Sequence, residues 1–184
     1  MKIDKACKKV IISEEKIMAT CKSLGERISK DYEGEEVTMV GLLNGCNPFF
    51  SDLIKFIDLE VVVDYIKASS YHGTTKSSND VKILKDLDLP VSGKNVIIVD
   101  DVIDTGNTIK KIMEIFKVKG AKSVEACVLL YKETGDETRY NAKYVGLTIP
   151  NEFVIGYGLD YQEHYRNLPY IGVISDELVK GEDN

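Results

Sequence analysis

Short apolar runs alternate along the chain with stretches in which apolar residues recur every three or four positions. Lys8–Ile12 predicts a short first strand. Ser13 follows as a helix cap, with Glu14 and Glu15 at the positive end of the helix dipole. Ile17, Cys21, Leu24 and Ile28 then share one helical face, and Gly34 lies in the turn beyond. Val37–Leu43 is almost wholly apolar, which suits a strand buried on both faces. Asn47 and Pro48 predict a helix start, a cap followed by a first-turn proline, with Phe49, Leu53 and Phe56 inward. Val61–Ile66 is a β-branched strand. Residues 69–80, SSYHGTTKSSND, hold almost nothing that could join a core, the composition of a lid or a linker. Gly93 precedes a strand over Asn95–Val99. Gly106 and Asn107 lead into a helix carrying Ile109, Ile112, Ile115 and Phe116, which Gly120 stops. Ser123–Tyr131 is another apolar strand.

Strand and helix alternate, so the pattern predicts an α/β fold with a mainly parallel sheet. No internal repeat and no Pro/Gly-rich linker divides residues 1–184, which read as one domain. Ligands of such sheets bind at the carboxyl ends of the strands. The residues that follow each strand therefore carry the candidate chemistry.

Composition narrows the function classes. Of 184 residues, 43% are hydrophobic and 29% charged, which excludes fibrous and wholly disordered classes. Lys and Arg number 24 against 30 Asp and Glu, a net charge of −6. A general nucleic-acid binder carries the opposite sign, so no nucleic-acid partner is expected. An acidic protein that handles anions must build local cationic sites or recruit a metal ion. Cys7, Cys21, Cys46 and Cys127 form no CxxC pair and accompany no His cluster. Reduced thiols in a cytoplasmic protein are the expectation. The opening MKIDKACKKV has no apolar leader core, and no run approaches about 18 apolar residues, so neither export nor a membrane span is expected.

The densest chemistry is Val96-Ile97-Ile98-Val99-Asp100-Asp101-Val102-Ile103-Asp104-Thr105-Gly106-Asn107-Thr108. An apolar strand delivers Asp100 and Asp101 to its carboxyl end. Asp104–Thr108 then offers backbone N–H groups, two hydroxyls and a helix N-terminus, with Gly106 allowing close backbone approach: a phosphate cradle. Asp100 and Asp101 are acceptors suited to sugar hydroxyls or to Mg²⁺ and its waters. Phosphate and diol binders side by side describe a ribose-5-phosphate site. Neither GxGxxG nor GxxxxGK[ST] is present, so dinucleotide and P-loop sites are not supported.

The segment IIVDDVIDTGNTI resembles the phosphoribosyl-diphosphate signature of the type I phosphoribosyltransferases. GLLNGCNPFFSDL, VDYIKASSYHGTT, LLYK and NEFVIGYGLDYQEHYRNLPYIGVI extend that resemblance over nearly the whole chain, to the hypoxanthine (hypoxanthine-guanine) branch. It implies a parallel sheet of about five strands with flanking helices. It also implies a small hood over the base, from the N-terminal segment and residues after about 148. The implied reaction is purine salvage, in which 5-phosphoribosyl passes from phosphoribosyl diphosphate to hypoxanthine, and to guanine, releasing nucleotide and diphosphate. The implied cofactor is Mg²⁺, and the implied assembly a homodimer or homotetramer with Asn44–Phe50 as a candidate interface.

By the same resemblance, Asp100 and Asp101 match the pair that holds ribose hydroxyls and Mg²⁺. Asp104, Thr105, Gly106, Asn107 and Thr108 match the 5′-phosphate loop, and Asp104 also the acid–base partner of purine N7. Lys132 matches the donor to the 6-oxo group, Phe153 the aromatic that stacks on the purine, and Val154 a residue meeting it through backbone. Asp160 matches a second Mg²⁺ site beside the base, and Arg166 an arginine reaching diphosphate. Residues 69–80 match a mobile loop that closes over the site, led by Ser70 and Tyr71, with Lys67 just before it. Asn44 and Gly45 match the loop that meets diphosphate through backbone N–H groups. Asn44 stands where relatives usually carry Lys or Arg, and Asp100 where many carry Glu. His72 and His164 are expected to be loop or surface residues. A xanthine-preferring relative and a non-catalytic regulator that senses phosphoribosyl diphosphate are the alternatives.

Overall fold

The computed structural model describes residues 6–70, 81–133 and 140–180. The elements run β1 (Cys7–Ile12), α1 (Glu14–Asp31), β2 (Val37–Leu43), α2 (Asn47–Leu53), β3 (Val61–Ser70), β4 (Val81–Lys85), β5 (Asn95–Ile103), α3 (Asn107–Val118), β6 (Ser123–Glu133), β7 (Tyr144–Pro150), β8 (Val154–Ile155), β9 (Ile171–Ile174) and α4 (Asp176–Lys180).

A six-stranded sheet in the order β4-β3-β2-β5-β6-β7 forms the centre. Its neighbours from β3 to β7 pair in parallel, and β4 is an antiparallel edge. The α/β class with a mainly parallel sheet is therefore the one observed. Successive residues of a strand point to opposite faces, and both faces here are covered. Met39, Ile97, Val99, Cys127 and Leu129 pack with Ile17, Leu24 and Ile28 of α1 and Phe49, Phe50 and Leu53 of α2. Val40, Leu42, Val96, Ile98, Ala126 and Val128 pack with Ile109, Ile112, Met113 and Phe116 of α3. A second, antiparallel sheet in the order β1-β9-β8 has its own cluster of Ala6, Ile155, Leu168 and Ile174.

The predicted helix signals mostly hold. Ser13 accepts the Lys16 N–H at 3.3 Å, and Ile17, Cys21, Leu24 and Ile28 are all buried. At the end of α3 the Gly120 N–H bonds Lys117 and the Ala121 N–H bonds Phe116, so the last carbonyls are satisfied where Gly120 was expected to stop the helix.

Five details differ. β3 runs to Ser70, four residues past Ile66, because β4 pairs with it there, so Ser69 and Ser70 belong to the strand and not to the loop expected over 69–80. Asn47 is not the cap of α2. Cys46 takes that place in a helical conformation, because the chain has already turned at Asn44–Cys46 and Asn47 is the first helical residue. The α-helix also stops at Leu53 and tightens into one 3₁₀ turn, Ile54–Phe56, so Phe56 is only half-buried while Phe50 is fully buried. β4, β7, β8 and β9 were not read from the sequence: β4 and β7 are sheet edges whose alternation is too weak to stand out, and β8 and β9 are only two and four residues long. Finally, β5 runs to Ile103, four residues past its apolar run, because β6 keeps pairing with it as far as Ile103↔Tyr131. Among the described residues no helix is long and apolar enough to cross a membrane.

Candidate functional site

The first parallel strand, β2, has β3 on one side and β5 on the other, so the chain order reverses between β2 and β5. A crevice opens at such a switch point, outside the carboxyl ends. The register shows how. β2 pairs with β5 only from Val37↔Asn95 to Gly41↔Val99, whereas it follows β3 to Leu43↔Lys67. Past Val99, β5 keeps its β6 partner and loses its β2 partner. Asp100 and Asp101 are the next two residues.

Both carboxylates are partly buried and take up backbone amides. The Asp101 N–H donates to Asp100 Oδ1 at 3.0 Å and the Val102 N–H to Asp101 Oδ1 at 2.7 Å. Burial pushes Asp100 well above the ordinary carboxylate range, and the neighbouring Asp101 charge adds to it. Burial also raises Asp101, although its amide bonds and the Arg166 guanidinium oppose the shift.

Opposite Asp101 stands the loop that leaves β2. The Leu43–Asn44 peptide is cis and the Asn44 side chain is exposed. A Cβ placed on Gly45 would overlap the Asp101 carboxylate, so any other residue here must displace that carboxylate or draw the backbone back. Phe49 and Phe50, in the segment expected at a subunit contact, are spent on this chain's own core, leaving Asn44 and Asn47 outward.

The far side of Asp101 leads to the start of α3. Asp104 and Thr105 are exposed, and Gly106 caps the helix at φ 76°, a left-handed conformation that glycine adopts freely. The Asn107 N–H reaches Thr105 Oγ1 at 3.4 Å, and Thr108 lies in the first turn. This is a helix N-terminus with hydroxyls beside it, opening a few residues from the paired carboxylates: an anion cradle next to acceptors for hydroxyls.

The segment from β8 to β9 supplies the opposite wall. A Cβ on Gly158 would overlap the Gly45 carbonyl, so these two backbones touch. Arg166 donates to the Gly158 carbonyl at 2.7 Å, pairs with Asp160 at 2.9 Å and reaches Glu163 at 3.0 Å. Asp160 also accepts the Glu163 N–H at 2.9 Å. Gly45, Asp101, Gly158, Arg166 and Asp160 thus form one linked group. Lys132 is half-buried in β6 opposite Ile149 rather than just past the strand end. Val154 is buried at the start of β8. Phe153 is 52% exposed, with Tyr161 edge-on at 5.8 Å, a large apolar ring left uncovered beside the crevice wall. Among the described residues no hydrogen bond or ion pair ties Asp104, Lys132 or Phe153 to the linked group. Ser70 ends β3 opposite Val81, and Lys67 lies in the same strand. Tyr71, His72 and the rest of residues 71–80 lie outside the described residues. His164 is exposed.

Among the described residues no three His, Cys, Asp or Glu side chains gather as a closed metal cage. Adjacent, partly buried carboxylates with raised affinity for a proton nevertheless favour added positive charge. That suits Mg²⁺, which is held by one or two carboxylates plus water and substrate phosphate. Two residues that the sequence reading passed over also shape the site: Gly158, and Tyr157, whose hydroxyl donates to Asp52 at 2.7 Å. The Gly-Tyr-Gly triplet at 156–158 was the available signal, since paired glycines mark close backbone approach.

The charge arrangement has a measurable consequence. A carboxyl whose folded pKa lies above its unfolded one binds more protons when folded, so stability falls as pH rises from about 4 toward the folded value. Asp100→Asn removes that penalty and keeps an acceptor for the Asp101 N–H. In EDTA the variant is expected to melt at least about 2 °C above the parent at pH 8, roughly 1 kcal/mol for a chain this size, with the gap closing by pH 4. Melting curves at both pH values check this; a variant less stable at pH 8 contradicts it.

Comparison with known proteins bears on this geometry. The family model for the phosphoribosyl transferase domain matches residues 11–162. A hypoxanthine-guanine phosphoribosyltransferase of Lactococcus lactis is 48% identical over 176 residues, covering 96% of each chain. One from Streptococcus agalactiae is 47% identical over 171 residues, 93% of this chain and 95% of that one. A crystal structure of a hypoxanthine phosphoribosyltransferase from Staphylococcus aureus superposes with a TM-score of 0.91 at 44% identity, covering 97% of both chains. With its crevice at the β2–β5 switch point and relatives matched over almost its whole length, the chain belongs to the phosphoribosyltransferase family, among the hypoxanthine-guanine enzymes.

Proposed function

We propose that the protein transfers 5-phosphoribosyl from phosphoribosyl diphosphate to hypoxanthine, and to guanine, releasing IMP or GMP and diphosphate. The observation that carries this reading is the crevice itself: two adjacent, partly buried carboxylates, Asp101 against the Gly45 backbone, beside the N-terminus of α3. The first-turn amides of α3 and the Thr105 and Thr108 hydroxyls receive the 5′-phosphate, with Asn107 in the same turn. Asp100 and Asp101 accept the ribose hydroxyls. The Asn44–Gly45 backbone and the forked donor of Arg166 face the diphosphate. The bond to C1′ breaks ahead of attack, so positive charge builds on the ribose while the diphosphate departs. Asp100 and Asp101 would hold one Mg²⁺ and Asp160 a second beside the base; when bound, the metal supplies positive charge to that leaving group.

On the base side, Phe153 offers a face for the purine and Val154 its backbone. Lys132 is donor-only, so it matches a 6-oxo group and rejects a 6-amino group. Asp104 accepts the N7 proton as the base attacks. Cys21, Cys46 and Cys127 are buried free thiols, held protonated above their ordinary range chiefly by burial, which supports a reducing, cytoplasmic setting. The working assembly is a homodimer or homotetramer.

An ultraviolet assay with phosphoribosyl diphosphate and Mg²⁺, run with hypoxanthine, guanine, xanthine and adenine and with an EDTA control, tests the reading. Metal-dependent turnover of hypoxanthine and guanine, with adenine inert, is expected. Xanthine turned over best of all would overturn the base assignment, and silence with every base the reaction. Asp104→Asn is expected to lower kcat by about 10²-fold or more, the scale of a general acid–base contribution. Lys132→Ala is expected to raise the purine KM and spare that of phosphoribosyl diphosphate. An equal loss of both would contradict its placement at the base.

A further inference from the structure

We propose that Tyr157 and Asp52 form a clamp that positions the diphosphate-facing wall of the crevice, an assignment that rests on the reading of the site just given. Tyr157 is buried and sits between Gly156 and Gly158. Its φ is 48°, a left-handed conformation unusual for a residue with a Cβ, so its surroundings must hold it there. The hydroxyl donates to Asp52 Oδ2 at 2.7 Å, with the Pro48 carbonyl at 3.5 Å and the Cys21 sulfur at 3.9 Å. Lys55 pairs with the other Asp52 oxygen at 2.7 Å, so the carboxylate is balanced on its outer side and aimed inward by the phenol.

The placement of these two residues makes the bond more than a core contact. Asp52 belongs to α2, which begins two residues after Gly45. Tyr157 is covalently next to Gly158. The same two segments are therefore joined twice, once by the hydroxyl–carboxylate bond and once where the Gly158 backbone meets the Gly45 carbonyl. Arg166 hangs from the Gly158 carbonyl and carries Asp160 with it. When the clamp is cut, Gly158 is free to draw away from Gly45, and the Arg166 fork moves off the Asp101 side of the crevice. Of the base wall, Lys132 is held in β6 against Ile149 and Val154 is held by its own pairing with Val173 of β9, so neither hangs on this bond. The clamp thus acts first on diphosphate, through Arg166 and Gly45, and reaches the purine side only indirectly, through Asp160.

Tyr157→Phe keeps the ring and removes the hydroxyl. The KM for phosphoribosyl diphosphate is expected to rise about tenfold, the scale of one lost hydrogen bond to a charged group, with kcat and the hypoxanthine KM within about threefold. Calorimetric affinity for magnesium diphosphate, measured without base, is expected to fall by a similar factor. Asp52→Asn retains an oxygen acceptor for the hydroxyl and should stay close to the parent. Asp52→Leu should match Tyr157→Phe, and the double variant should be no worse than either single one. An unchanged KM for phosphoribosyl diphosphate in Tyr157→Phe, an equal rise for both substrates, or additive losses in the double variant would each overturn the clamp. A parent that binds magnesium diphosphate without turning over any base overturns the reaction, and the calorimetric comparison still decides the clamp. A parent that binds no magnesium diphosphate overturns both.

Discussion

Gly45 has no side chain because the Asp101 carboxylate stands where a Cβ would be. That contact depends on β2 parting from β5 after Gly41↔Val99 while β5 stays paired with β6 to Ile103. If the two strands kept pairing, Asp100 and Asp101 would lie in an ordinary ladder with no gap for a ligand. Because they part, two carboxylates are left in a half-dry crevice whose opposite wall is bare backbone. The remaining parts assemble on this frame. The N-terminus of α3 follows β5 by a short turn, and Gly158 closes the crevice by seating on the Gly45 carbonyl.

Charge explains why an acidic chain can face an anionic substrate. The net charge is −6, and within the linked group the positive charge comes from Arg166, paired with Asp160 and Glu163. The site instead offers dipoles, amides and hydroxyls to phosphate and concentrates carboxylates where Mg²⁺ is proposed to bind. Burial, with the neighbouring Asp101 charge, raises the affinity of Asp100 for a proton, and burial raises that of Asp101 against the pull of Arg166.

How much of this was legible in the sequence follows from how local each signal is. The apolar runs of β2, β5 and β6, the Ser13 cap and the Gly120 stop are local, and they held. Asp100–Thr108 was legible because its carboxylates, hydroxyls and glycine are crowded into nine positions. The length of β5 was not, since Asp100 and Asp101 are poor strand formers kept extended only by pairing with β6. Asn47 looked like a cap by residue type, but the turn at Asn44–Cys46 decided otherwise. Edge strands β4 and β7 lack the two-sided burial that made the central strands visible. Resemblance, rather than pattern, pointed to Lys132, Phe153, Val154, Asp160 and Arg166. The contact of Gly158 with Gly45 joins residues more than 100 positions apart, and no periodicity encodes that.

The most direct test of this account is Gly45→Ala, assayed for turnover with phosphoribosyl diphosphate and hypoxanthine and checked for folding by melting. One methyl group there must displace the Asp101 carboxylate or push the β2 loop outward, away from Gly158. A folded protein that has lost about 10²-fold or more in kcat/KM is expected, the scale on which small misplacements act in a preorganised site. A folded Gly45→Ala protein with near-normal turnover would show that the close approach of this backbone to Asp101 is not what builds the site.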